Sequence, residues 1–184
     1  MVTVDLRPEA VAVGALLMDA VREYSENHGA TSTAKQHPAV SRIDLAFSLG
    51  DSESTPWVHV NFDAKAGGEP DGTPMHPDFA RLDCESWLPV VQAVCNDERV
   101  TVIRLNGEIE ECGAGELARQ IGKFLVKVLL DARAAGMFAG LPKSHRCELG
   151  VEDPTTGEFG WPHYDDRGKE NLVELNMSGD RPRD

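Results

Sequence analysis

Two runs of strict alternation constrain the fold more than any other feature of this chain. Ile43, Leu45, Phe47 and Leu49 alternate with Arg42, Asp44, Ala46 and Ser48. Val58, Val60 and Phe62 alternate with Trp57, His59, Asn61 and Asp63. A period of two gathers the apolar side chains on one face, so each run reads as a half-buried strand with one polar face. The link Gly50-Asp51-Ser52-Glu53-Ser54-Thr55-Pro56 is rich in turn formers and predicts an antiparallel hairpin. Centring that turn between Glu53 and Ser54 sets Asp44 opposite Asp63, Ala46 opposite Asn61 and Ser48 opposite His59.

The other segments supply helices and shorter strands. Pro8 and Glu9 suit a helix start. Val13, Leu17, Val21 and Tyr24 then line one face, and Asn27-His28-Gly29 ends the helix. A helix is expected over residues 83–96, capped by Asp83 or starting nearer Ser86 because Pro89 falls late for a first turn. Val100 to Leu105 reads as a strand. Asn106-Gly107 signals a type I′ hairpin turn, with Glu108 to Cys112 returning. The clearest amphipathic pattern is Leu117, Ile121, Phe124, Leu125, Val128, Leu129 and Ala132, closed by Gly136. Cys147 to Val151 reads as a strand, with a return strand starting at Phe159 and Trp161.

This order, α-β-β-α-β-β-α-(β-β), predicts an α+β fold. An antiparallel sheet built from hairpins carries the helices on one face, without parallel crossovers. One domain over residues 1–175 is expected, with a polar tail at 176–184. The expected core is Leu17, Val21, Ile43, Leu45, Phe47, Val58, Val60, Phe62, Val102, Ile103, Ile121, Leu125 and Val128.

Charge narrows the choice of partner. Lys and Arg number 18 against 31 Asp and Glu, a formal net charge of −13. Nucleic acid and anionic membranes both reward Lys and Arg, so neither is an expected partner. No run approaches the length of a membrane span, and no basic-then-apolar leader opens the chain, so a cytoplasmic location is expected. Cys84, Cys95, Cys112 and Cys147 lack the close pairing of a zinc site and read as reduced, mostly buried thiols.

Catalytic motifs are absent from the sequence. There is no G-x-S-x-G elbow, no H-E-x-x-H and no P-loop. The Gly/Pro-rich loop 64–78 holds Glu69, Asp71, His76 and Asp78 without the EF-hand pattern. An aromatic-rich segment follows late in the chain, with Phe159, Trp161, Tyr164, Asp165 and Asp166 near Arg167. Trp, Tyr and Arg are enriched in interface hot spots.

In size, acidity and hairpin organisation the chain resembles small bacterial immunity proteins of polymorphic-toxin systems. The stretches Trp57-Val58-His59-Val60-Asn61-Phe62-Asp63 and Gly160-Trp161-Pro162 add to that resemblance. It implies non-catalytic inhibition of a toxin domain, with a basic protein as partner and no metal or cofactor. The expected contact residues are Asp63, Glu69, Asp71 and Asp78 around the loop, and Trp161, Tyr164, Asp165 and Asp166 in the late segment. Two alternatives stand beside it: a metal-assisted hydrolase using Asp44, His59, Asp63 and His76, and an acidic structural or scaffold protein.

Overall fold

A computed structural model describes residues 2–28, 39–50, 54–65, 80–152 and 164–165. The elements in chain order are β1 (Thr3–Asp5), α1 (Leu6–His28), β2 (Ala39–Ser48), β3 (Trp57–Lys65), β4 (Ala80–Asp83), α2 (Leu88–Cys95), β5 (Val100–Ile103), β6 (Ile109–Cys112), α3 (Ala114–Ala134), β7 (Lys143–Glu152) and β8 (Tyr164–Asp165). They form a five-stranded sheet, β4-β3-β2-β7-β8, and a three-stranded sheet, β1-β5-β6. The fold is α+β and the expected order holds, with short strands β1 and β4 added. Most pairings are antiparallel, but β1–β5 and β2–β7 are parallel. Turn signals report only strands adjacent in sequence, so neither parallel pairing is visible in them.

The helices begin and end for local reasons. Asp5 accepts the backbone N–H of Arg7 at 3.0 Å, capping α1. The Arg7 guanidinium also hydrogen-bonds this carboxylate and holds its pKa down to about 2. Val13, Leu17, Val21 and Tyr24 are all buried, as their spacing requires. At the start of α3, the Glu116 carboxylate accepts the Gly113 N–H at 3.1 Å. At its end, Gly136 takes φ +75° and donates to the Arg133 carbonyl, while Met137 donates to that of Ala132. These two bonds form a Schellman motif, which needs a left-handed residue at the position of Gly136. Pro89 delays α2. Instead of one helix from Asp83, the chain runs through β4 and a 3-10 turn, Glu85–Trp87, and α2 begins at Leu88 with Pro89 in its first turn.

The β2–β3 hairpin forms, but its register sits two residues from the expected one. Asp44 faces Asn61, Ala46 faces His59, Ser48 faces Trp57, and Asp63 faces Arg42. The ends of the turn explain the shift. Gly50, at φ +69°, donates its N–H to Ser48 Oγ at 3.0 Å and turns the chain just after Ser48. Pro56 has no N–H for the ladder, and its carbonyl accepts the Cys84 N–H at 2.7 Å. The last pair is therefore Ser48–Trp57. A bulge between Val40 and Arg42 reverses the side-chain phase, which buries Val40 with Ile43, Leu45 and Phe47.

Strand β2 lies between β3 and β7 and is buried on both faces from Ile43 to Ser48. The expectation of a solvated polar face therefore fails for this strand. Ala46 and Ser48 are small and lie beside His59 and Trp57 in the ladder. The helix-side face joins Val58, Val60, Phe62, Leu149 and Val151 to Leu17, Ile121 and Leu125 in one core.

The small sheet attaches to α3 by a closed polar ring. Arg104 Nε donates to Gln120 Oε1 at 3.1 Å, Gln120 Nε2 donates to Glu110 Oε2 at 2.8 Å, and Arg104 also pairs with Glu110. Gln120 is buried, and the ring satisfies both ends of its amide. Two expectations change in this hairpin. Ile103 is only half-buried, because Val102 beside it in the strand takes the inward face. The Asn106-Gly107 turn is not type I′: only Gly107 has positive φ, at +84°. The Gly107 N–H donates to the Arg104 carbonyl and the Arg104 N–H to that of Glu108, a type I turn followed by a G1 bulge.

Leu125 is fully buried, whereas Val11 is 75% exposed on α1. Leu125→Ala is expected to lower unfolding free energy by about 2–5 kcal/mol. Val11→Ala should change it by less than about 0.5 kcal/mol. Urea denaturation of both variants checks this, and a near-neutral Leu125→Ala would contradict the packing of α3.

Candidate functional site

Side chains alternate across a strand, so one face of the five-stranded sheet packs on the helices and the other carries its polar residues. Cross-strand register builds that outer face row by row. Asp63, Arg42, Glu148 and Asp165 form one row across β3, β2, β7 and β8. Neighbouring strands lie about 4.8 Å apart, so two acidic positions, Asp63 and Glu148, flank Arg42 and a third, Asp165, lies one strand further out. The next row is Asn61, Asp44 and Gly150.

Asp44 is the most constrained group on this face. It is 3% exposed, and its two carboxylate oxygens lie 2.8 and 2.7 Å from Arg42 Nε. A buried carboxylate without a partner is strongly destabilising, and Arg42 supplies the partner. The carboxylate lies directly over Gly150. A Cβ at Gly150 would stand 2.3 Å from Asp44 Oδ1, well inside contact distance. Glycine at 150 therefore makes room for the buried ion pair.

The corner of the face towards β4 has different chemistry. Trp57 is half-buried and contacts the His59 ring edge-on, at 6.4 Å between centroids and 79° between planes. The Arg81 guanidinium carbon sits 5.4 Å from the centre of the Trp57 ring. Arg81 Nε is held in turn by Asp83 at 2.9 Å, with both side chains more than half exposed. The result is a half-buried aromatic group with a cation on its face and an anion behind the cation.

The expected contact residues divide in three ways. Asp63 and Asp165 come together in one row of the sheet. Tyr164 is paired with Leu149, in register with Ile43 and Phe62 and not with Asp63 and Asp165. Glu69, Asp71, Asp78, Trp161 and Asp166 lie outside the described residues, as do His76, Phe159 and the tail 176–184. The return strand after β7 is β8 at Tyr164–Asp165. Arg42, Trp57, Arg81, Asp83 and Gly150 join the site only through the structure. Arg42 and Trp57 appear in the alternation as outward members. Four-residue β4 is too short to show a period, and the role of Gly150 arises only from its non-local pairing with Asp44.

The expected juxtaposition of Asp44 and Asp63, on which a metal-assisted hydrolase would draw, loses its geometric basis. They do not face each other, and Asp44 is engaged by Arg42. Among the described residues no group of three or more His, Cys, Asp or Glu converges to hold a metal ion. The buried thiols are poor nucleophiles. Burial pushes the Cys84 pKa up to about 12, and the Glu9 and Asp83 carboxylates add to the rise. Cys112 is also raised, by burial first and by Glu116 second. Among the described residues no helix is long and apolar enough to cross a membrane. Comparison of the chain with protein-family models, curated proteins and solved structures finds no significant match.

Gly150→Ala is expected to destabilise the fold by about 1–3 kcal/mol, because the carboxylate cannot retreat without leaving Arg42. Asp44→Ala removes the obstructing group. The double variant should therefore be more stable than the sum of the two single effects, with a coupling of about 0.5–3 kcal/mol. A thermodynamic cycle from chemical denaturation measures it. Strict additivity would show that Asp44 does not lie on Gly150.

Proposed function

We propose that this chain is a non-catalytic binding module that docks on a basic protein and neutralises it, in the manner of an immunity protein opposing a toxin domain. The observation that carries the proposal is the row Asp63, Arg42, Glu148 and Asp165 on one sheet face. It sets three acidic positions in register with one partly exposed arginine, in a chain whose net charge is already −13. Long-range attraction of that sign accelerates encounter with a cationic partner and orients it. The Trp57–Arg81–Asp83 corner supplies the complementary element. A half-buried aromatic slows dissociation once it is desolvated. A cytoplasmic site of action belongs to the same proposal, since the protected cell must meet the toxin inside.

The test uses the whole chain and a panel of purified basic nuclease toxin domains, including any encoded beside it. A one-to-one complex is expected, with loss of nuclease activity and an association rate that falls as salt is raised. Asp63→Lys with Asp165→Lys should lower the association rate. Trp57→Ala should mainly raise the dissociation rate, by a factor corresponding to about 2 kcal/mol. Circular dichroism confirms that the variants are folded. Absence of any complex across the panel, or unchanged rates in the folded variants, would contradict the proposal.

A further inference from the structure

The other sheet carries a second feature, the outer side of β6. Among the described residues β6 has one hydrogen-bonded neighbour, β5. The Arg104 N–H donates to the Glu108 carbonyl at 2.9 Å, which fixes the phase of this ladder. In an antiparallel pair, alternate residues face the partner strand. Counting in twos from Glu108, residues Glu110 and Cys112 turn their backbone groups to β5. Ile109 and Glu111 turn theirs outward. The outward carbonyl of Glu111 accepts a hydrogen bond from Arg99 Nη2 at 2.8 Å, so a cationic side chain already stands where the donor of a further strand would lie. The Ile109 side chain is 70% exposed, and those of Glu108 and Glu111 are more than half exposed.

We propose that β6 is a strand-addition site for an extended basic segment of the partner. The identification of a basic partner rests on the binding role proposed above. Outward backbone groups at Ile109 and Glu111 provide the hydrogen bonds, Ile109 provides an apolar contact, and the exposed carboxylates of Glu108 and Glu111, now beside Arg104 at 3.3 Å and Arg99 at 3.9 Å, select lysine or arginine in their place. A second copy of this chain is the wrong occupant. Two β6 strands can pair antiparallel only by matching outward residues: Ile109 with Ile109, Ile109 with Glu111, or Glu111 with Glu111. Each match sets glutamate against glutamate, and like charges directly opposite are destabilising. On docking, a backbone N–H of the incoming strand replaces Arg99 at the Glu111 carbonyl.

The probe is an end-blocked peptide, Thr-Lys-Lys-Val-Lys-Thr. Antiparallel to β6, it places its valine opposite Ile109 and its lysines opposite Glu108, Glu110 and Glu111. Titrated into isotope-labelled whole chain, it should shift the Ile109 and Glu111 amide resonances and slow their hydrogen exchange. A version with glutamate for every lysine should not bind. Ile109→Pro removes an outward N–H while leaving the ladder to β5 intact, and should abolish binding without unfolding the protein. Glu108→Lys with Glu111→Lys should weaken binding on the order of tenfold, and covers the case in which the proline variant does not fold. No response at Ile109 and Glu111, or equal binding of the glutamate peptide, would overturn the proposal. If the peptide fails while a basic toxin domain still forms a complex, strand addition is wrong and the binding role stands. If the peptide adds to β6 while no basic domain binds, the edge site stands and the toxin-neutralising role falls.

Discussion

The buried carboxylate of Asp44, lying on Gly150 and held by Arg42, is the constraint on which the large sheet depends. A charge in that position is costly unless its partner and its space are both in place. Both requirements fix register. Gly150 is the one glycine in β7. Slipping β7 by one residue would set Leu149 or Val151 beneath the carboxylate and turn the core side of the strand outward. Slipping it by two would set Glu148 or Glu152 there, a like charge. The ion pair therefore acts against misaligned sheets as much as for the native one. It does so at the parallel β2–β7 pairing, which no tight turn determines.

From that seam the rest of the fold follows. With β7 on one side and β3 on the other, β2 becomes interior, and its apolar residues meet α1 and α3 in a single core. Helix α3 also holds the small sheet, through the ring of Arg104, Glu110 and Gln120. The same register decides what the outer face presents. It brings Asp63 and Asp165, far apart in sequence, into one row with Arg42. The acidic character of that row and the aromatic corner at Trp57 are consequences of how the sheet is aligned.

Local patterns in the sequence carried much of this fold. The spacing of Val13, Leu17, Val21 and Tyr24, and that of Leu117 through Ala132, identifies α1 and α3 and their buried faces. Alternation identifies β2 and β3, because period two is visible within one segment. Non-local geometry was not legible. The turn residues 50–56 mark a hairpin but do not fix which pair closes it, so a turn centred between Glu53 and Ser54 sets Asp44 opposite Asp63 whereas its partner is Asn61. Strand β4 contains only Ala80–Asp83, too few residues to show a period. The pairing of Asp44 with Gly150 joins residues more than a hundred positions apart, and the glycine is informative only once a carboxylate is seen above it. Of the site, single residues such as Asp63 were legible from their charge. Their assembly into a row was not.

Native-state hydrogen exchange measured residue by residue tests the central placement of β2 most directly. The amides of Ile43 and Leu45 should be among the slowest in the protein and exchange only through global unfolding, because β2 is paired on both sides there and buried on both faces. Their free energies of exchange should equal the unfolding free energy from denaturant titration. Exchange of these amides faster than those of the edge strands β4 and β6 would contradict a sheet organised around β2.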